Sequence, residues 1–367
     1  MTVARAARLT ADLIEDVIGI ARTKLKGEAA TQAEWFIRRF YAHVPPADIV
    51  ETGAETLYGA ALALWRFGAE RRPGQAKVRV YNPRLAEDGW RSAHTVVEIV
   101  NDDMPFLVDS VTAELNRRGL TVHLVIHPIL RVRRDADGRL LAATASETGE
   151  SEGLQESFMH VEIDEVIDPA RLDAIVAGLT RVLADVRAAV ADWPAMRAQV
   201  ADVIGSLASD PPPVPAEELA EAADFLRWLD DNNFTFLGYR EYVFEGTGEA
   251  LHARALPETS LGVLRPDRAA EAGAPAGLQA LPPELLVWLK QPALLDISKA
   301  GARATVHRPV HMDYVGVKRF DAAGNVTGIR RFLGLLTSVA YNTSPRRIPV
   351  LRRKVARVLE RADLAPN

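Results

Sequence analysis

The chain has 367 residues, 48% of them apolar and 25% charged, with a formal net charge of −5. That length allows two or three domains with a sizeable core, and the mild acidity argues against a nucleic-acid binder. Zero cysteines exclude disulfides, cysteine nucleophiles and thiolate metal sites, and fit a reducing cytoplasm. Acidic residues interrupt the first apolar stretch, so no secretory signal is expected, and no apolar run is long enough to span a membrane.

Residues 3–72 read as wholly helical. Leu9, Leu13, Ile14, Val17, Ile18 and Ala21 form one apolar stripe. Trp35, Phe36, Phe40 and Tyr41 form a second, ended by Pro45-Pro46, and Leu57, Ala61, Leu64, Trp65 and Gly68 a third. Aromatic stripes at this spacing mark a core or docking face. Lys77–Tyr81 alternates like an edge strand, stopped by Asn82-Pro83.

The central stretch is 94–134. Thr95–Val100 is a β-branched strand around Glu98. Asn101-Asp102-Asp103 supplies a turn and a helix N-cap, with Pro105 in the first turn. Leu107, Val108, Val111 and Leu115 make an apolar stripe, and Gly119 stops the helix after Arg117 and Arg118. From Leu120 a second strand carries Val122, Leu124, Ile126, Pro128, Leu130 and Val132 on one face, which the preceding helix is expected to cover. Asp135–Gly138 is a hairpin turn signal, and 141–157 reads as a small, polar loop. Phe158–Ile163 is a third strand, and Asp168-Pro169 caps a long helix running from Leu172 to Val190. The order β-α-β-β-α begins a ferredoxin-like sandwich. Its fourth strand must be Lys77–Tyr81 or come from the second half.

Ser209–Pro215 is a proline-rich linker. Beyond it come a helix through Leu219, Ala223, Leu226 and Leu229 and an aromatic strand, 233–244. Residues 266–283 read as a surface loop with one weak helical turn. Strands 307–320 and 326–341 form a hairpin through 321–325. Ser344-Pro345 caps a last helix expected to turn Ile348, Leu351, Val355 and Leu359 inward.

Catalytic motifs are lacking: no Gly-rich dinucleotide loop, Walker loop, H-E-x-x-H or G-x-S-x-G is present. His123 and His127 share a strand face but lie about 13 Å apart at about 3.3 Å per residue, too far for one metal. Arg346, Arg347, Arg352, Arg353, Lys354 and Arg357 make the one basic concentration, a solvated or subunit-facing side without the aromatics a nucleic-acid surface needs. The best site is the loop Asn101–Met104, whose helix N-terminus and side chains suit a free amino acid; simple capping by Asp102 or Asp103 is the alternative.

The segments 100–130 (VNDDMPFLVDSVTAELNRRGLTVHLVIHPIL), 225–242 (FLRWLDDNNFTFLGYREY), 307–321 (HRPVHMDYVGVKRFD) and 330–355 (RRFLGLLTSVAYNTSPRRIPVLRRKV) resemble the N-terminal, ACT-domain region of the large bacterial NAD-specific glutamate dehydrogenases. The resemblance implies an α+β chain: a helical N-terminal region, 1–75, then ACT-like (ferredoxin-like βαββαβ) domains with antiparallel sheets. The first spans 76–208 with its helical extension, the linker 209–215, and the second 216–367. It implies a fragment whose parent oxidises L-glutamate to 2-oxoglutarate and ammonium with NAD. The fragment itself would hold no catalytic residue, cofactor or metal. Its partners would be its own catalytic domain, other subunits and a free amino acid, in the cytoplasm, with neither nucleic acid nor membrane. The ligand residues would be Asn101, Asp102, Asp103, Met104, Phe106 and Leu107. Where ACT domains that bind amino acids usually have Pro-Gly, this sequence has Pro105-Phe106, which puts a ring where the ligand would lie. A scaffold without a ligand is the alternative.

Overall fold

The β-branched run around Val97 folds as the inner strand of an antiparallel sheet, in a computed structural model that describes residues 3–145, 153–246, 251–269, 278–280 and 293–362. The chain forms two compact units, Met1–Ala184 and Asp185–Asn367. The division falls inside a long helix rather than at the proline-rich segment 209–215.

In the first unit, α1 (Val3–Lys24), α2 (Gly27–Phe40), α3 (Pro46–Ile49) and α4 (Ala54–Phe67) precede β1 (Lys77–Tyr81) and a short α5 (Leu85–Asp88). The central segment is β2 (Thr95–Asp102), α6 (Leu107–Arg117), β3 (Val122–Ile126) and β4 (Ile129–Arg134). Then come β5 (Leu140–Ala145), β6 (Leu154–Ile163) and the first part of α7 (Pro169–Ser209). The sheet order is β1-β2-β6-β4-β5, with β3 also paired to β6. The strand 77–81 thus fills the edge beside β2, with Arg79 opposite Glu98, where a ferredoxin-like fold puts its fourth strand.

Three local expectations change. Residues 140–145 are a strand rather than a loop, paired to β4 at the end of the sheet order, and β6 starts at Leu154, while 146–152 lie outside the described residues. The single strand expected from Leu120 is two, because Pro128 has no N–H to give a ladder; the Pro128 carbonyl instead accepts from Phe158 N at 3.0 Å. The apolar face of β3–β4 is covered by the N-terminal helices, not by α6. Phe36, Phe40, Leu57, Ala61 and Leu64 share one core with Val100, Ile126, Leu130, Val132 and Phe158. Val97, Ile99, Met159, Val161 and Ile163 alternate to the opposite face, where α6 and α7 bring Leu107, Val111, Leu115, Ile175 and Leu179, all buried.

The ends of α6 and α7 follow their sequence. Gly119 takes φ 72, letting Leu120 N bond Leu115 O at 3.2 Å and Gly119 N bond Asn116 O at 2.9 Å, a Schellman stop. Asp168 Oδ1 accepts from Ala170 N at 3.0 Å at the head of α7.

The second unit holds the rest of α7, α8 (Ala216–Trp228), β7 (Phe234–Glu245), β8 (His252–Gly262), α9 (Pro266–Ala269) and β9 (Leu278–Ala280). β10 (Leu295–Arg303), β11 (His311–Phe320), β12 (Val326–Leu336), α10 (Ser338–Asn342) and α11 (Leu351–Arg361) follow. Its antiparallel sheet runs β10-β11-β12-β7-β8-β9, and Val200, Val203, Phe225 and Leu226 pack on Phe236, Tyr239, Val317 and Phe332. The 321–325 hairpin forms as expected, with Asp321 N bonding Asn325 O at 2.9 Å. Within the expected 266–283 loop, 278–280 is a strand paired to β8. The last strand ends at Leu336 rather than Tyr341, because Thr337 turns the chain by capping α10.

Gly68 follows α4 where it meets the sheet: a Cβ there would stand 2.2 Å from Phe158 Cε1. Since the Phe158 ring is fully buried, Gly68→Ala must displace packed atoms. We expect it to cost about 1–3 kcal/mol in denaturant unfolding; an unchanged midpoint would contradict this packing.

Candidate functional site

The loop between β2 and α6 is set by competition for its carboxylates. Asp102, one of the two carboxylates expected to cap α6, instead continues β2 opposite Glu156 and accepts from Arg71 Nη2 at 2.6 Å and from Gly74 N at 3.0 Å. A buried cation and a backbone donor thus hold the oxygens that capping would have used. Pro105 precedes the helix, and the capping position falls to Phe106, with no side-chain cap bond. Phe106 sits at φ 72, ψ 2, the left-handed conformation that glycine favours. The backbone keeps the turn that a Pro-Gly pair would give, while a half-buried ring occupies the glycine's place.

The remaining loop residues divide by depth. Asn101 and Leu107 are buried; Asp103 and Met104 are half-buried. Asp103 N bonds Gln155 O at 2.9 Å, and burial pushes its carboxyl pKa up, against a hydrogen bond from Met104 N. Ser157 pairs across the ladder with Asn101 and with Ile129, and its hydroxyl bonds His127 Nε2. Burial lowers the His127 pKa, favouring the neutral ring.

Beneath the loop lies a charge network that sequence spacing did not reveal. Glu156, fully buried, accepts from Arg71 Nη2 at 2.6 Å and from Arg134 Nε and Nη2, both at 2.7 Å. Arg71 also bonds Gln75 O at 2.8 Å, and Arg134 bonds Gly68 O and Gly138 O, both at 2.9 Å. The members are 22 to 85 residues apart in the chain, so only the fold joins them. Arg71 was unremarkable in the sequence, and Glu156 lay in a stretch read as loop.

A second cluster stands where β2 and β3 begin and β6 ends. His94 Nδ1 lies 2.8 Å from Glu162 Oε2, and His160 Nε2 lies 3.4 Å from Glu162 Oε1. Burial works to raise the Glu162 carboxyl pKa, but the bonds from His160 and His94 outweigh it and hold it below its ordinary value. His123 stacks on His94 with ring centroids 4.4 Å apart and bonds Asp164 at 2.8 Å. His123 and His127 therefore have separate partners. Among the described residues no group of three or more histidines and carboxylates is placed to hold a metal ion.

In the second unit a cavity of about 440 Å³ opens beside Ser206, Pro211–Pro213 and the β11–β12 hairpin. Arg330 lines it and bonds Ser206 Oγ at 3.0 Å.

The β2–α6–β3/β4–β6–α7 arrangement with β1 on its edge is an ACT-type sandwich, and residues 36–179 match the family described as glutamate dehydrogenase, ACT1 domain. The match begins at Phe36, inside the helical region, in keeping with the core those helices share with the sheet. Over 361 residues the chain is 38% identical to the NAD-specific glutamate dehydrogenase of Halomonas elongata, covering 97% of this chain and 22% of that protein. The Pseudomonas aeruginosa enzyme of the same name is 36% identical over 338 residues, 92% of this chain and 21% of that protein. The enzyme of that name from Mycobacterium tuberculosis is 28% identical, over 83% and 17% respectively. The chain belongs to this family of bacterial NAD-specific glutamate dehydrogenases and spans about a fifth of the length of the curated relatives it matches.

Left-handed backbone penalises β-branched side chains most. Phe106→Val is therefore expected to be about 1–3 kcal/mol less stable than Phe106→Gly in denaturant unfolding. Equal stabilities would mean that Phe106 is not held in that conformation.

Proposed function

We propose that residues 1–367 are a regulatory and subunit-assembling region of an NAD-dependent glutamate dehydrogenase. The parent reaction is L-glutamate + NAD + water → 2-oxoglutarate + ammonium + NADH. The observation that carries the reading is the match along 97% of this chain to a protein in which it accounts for only 22%. The sequence offers no dinucleotide loop, so NAD binding and hydride transfer are assigned to the parent's remaining chain. Its partners are that remaining chain and further subunits, in the cytoplasm. No helix among the described residues is long and apolar enough to cross a membrane.

Assembly without a ligand is favoured over amino-acid sensing by the loop itself: Asp102 is committed to Arg71 and Gly74, and the Phe106 ring stands at the turn. Sensing, the second reading, is favoured by the retained left-handed turn at Phe106 and by the half-buried Asp103 carboxyl. It would use Asn101 and Asp103 at the ligand's polar end, with Met104 and Leu107 beside it.

Light scattering and thermal unfolding against a panel of free amino acids separate the readings. Assembly predicts a defined multiple of 40.1 kDa, no midpoint shift, and no NADH from L-glutamate and NAD with this chain alone. A ligand at about 100 times its dissociation constant adds roughly 2.7 kcal/mol, so a shift with one amino acid, lost in Asp103→Asn, would establish sensing instead. A monomer without any shift would overturn both readings.

A further inference from the structure

The last helix was expected to turn its apolar residues inward, and it does not. Leu351, Val355, Val358 and Leu359 recur at the i, i+4, i+7, i+8 spacing of one helix face. Yet no residue of α11 is buried; Leu351 is 38% and Val358 64% exposed, with Val355 and Leu359 half-covered. Among the described residues, the hydrogen bonds and ion pairs that tie the helix to α8 lie at its start. Glu221 of α8 accepts from Val350 N at 2.6 Å and from Arg352 Nη2 at 2.7 Å, and Arg353 reaches Glu217 at 3.2 Å. Val350 is drawn to φ 68, so the anchor fixes the helix direction against backbone strain. Beyond that turn a groove of about 220 Å³ runs between Arg346, Val355 and Leu359.

The rim of that face is cationic. α11 carries Arg352, Arg353, Lys354, Arg357 and Arg361 against Glu360 alone. The first two are paired with α8; Lys354, Arg357 and Arg361, with Arg346 and Arg347 just before the helix, have no acidic partner among the described residues. An amphipathic helix this apolar on one side gains stability only when that side is covered.

We propose that α11 is a docking helix for an acid-rimmed apolar surface in the part of the parent polypeptide that lies outside residues 1–367. The inference rests on the reading of this chain as one region of a larger enzyme. Charge selects the occupant. A second copy placing α11 against α11 would bring two sets of unneutralised cations together, whereas acidic side chains around an apolar ridge would satisfy both the stripe and its rim. Length agrees, because roughly four-fifths of the relatives' chains lie outside the matched stretch.

Hydrogen exchange at residues 352–361 tests it, measured in the 367-residue chain and in the whole polypeptide of which it is a part. We expect fast exchange in the former and roughly tenfold or greater slowing in the latter. The combined variant Lys354→Glu, Arg357→Glu, Arg361→Glu, Val358→Asp should abolish that slowing in the whole polypeptide, yet leave the unfolding midpoint of the 367-residue chain unchanged. Equal exchange in the two proteins would overturn the proposal. So would self-association of the short chain that Val358→Asp abolishes, which assigns the face to a second copy. Sedimentation of the short chain with phosphatidylserine vesicles, lost in the combined variant, would overturn it in favour of a lipid surface. Failure of the whole polypeptide to form NADH from L-glutamate would refute the functional reading separately, leaving the exchange result to decide the docking.

Discussion

A fully buried carboxylate must be paid for by partners, and Glu156 has two arginines. Through Arg71 it is joined to Asp102 and to the segment that leads from α4 into β1. Through Arg134 it is joined to Gly68 and to the β4–β5 turn. That turn is further tied to the 69–71 backbone by Arg71 N to Gly138 O and Leu140 N to Ala69 O, both 2.8 Å. A Cβ at Gly138, whose φ is 85, would come within 2.6 Å of Arg71 O, so only glycine allows this approach. One charge cluster thus fixes the N-terminal helices, the edge strand, two inner strands and a hairpin relative to one another.

The β2–α6 loop takes its form from the same cluster. Because Arg71 holds Asp102 in the strand, the turn into α6 has to be made by Met104, Pro105 and Phe106, and the last of these accepts a left-handed conformation. A left-handed non-glycine residue persists when its surroundings over-determine it. Here the surroundings are a buried ion network on one side and the Asn101–Ser157–Ile129 ladder on the other. The turn into α6 is thus held from both sides. α11 shows the opposite condition, since it is anchored at its first turn and buries none of its residues.

Much of the fold was legible because it depends on local chemistry. Gly119, Asp168-Pro169, the Asp135–Gly138 turn and the 321–325 hairpin all act where their residue types dictate, and 77–81 alternates as an edge strand should. What was not legible depends on partners far along the chain. The β3–β4 stripe announces an apolar face but not which helix covers it. The 140–145 strand, LLAATA, has no alternating apolar and polar pattern and is paired with β4. The Asp102 carboxylate looks like a cap until Arg71, about thirty residues earlier, is brought beside it. The periodicity of α11 was read correctly as amphipathic, but burial was inferred from pattern alone. Of the candidate site, the loop's position and its Phe106 departure were visible in the sequence, whereas the His127–Ser157 pair and the ion network beneath it required the sheet register.

The Arg71–Glu156 pair thus organises the first unit. A double-mutant cycle with Arg71→Met and Glu156→Gln, read by denaturant unfolding, tests it most directly. Arg71→Met leaves Glu156 with Arg134 alone, and Glu156→Gln leaves Arg71 with Asp102 alone, so each single variant should cost a large part of the about 3–5 kcal/mol of a broken buried pair. The double variant should lose less than their sum by about 1–3 kcal/mol, the coupling expected of residues in one network. Single losses below about 1 kcal/mol that simply add would contradict the account and leave the apolar core alone to hold these elements together.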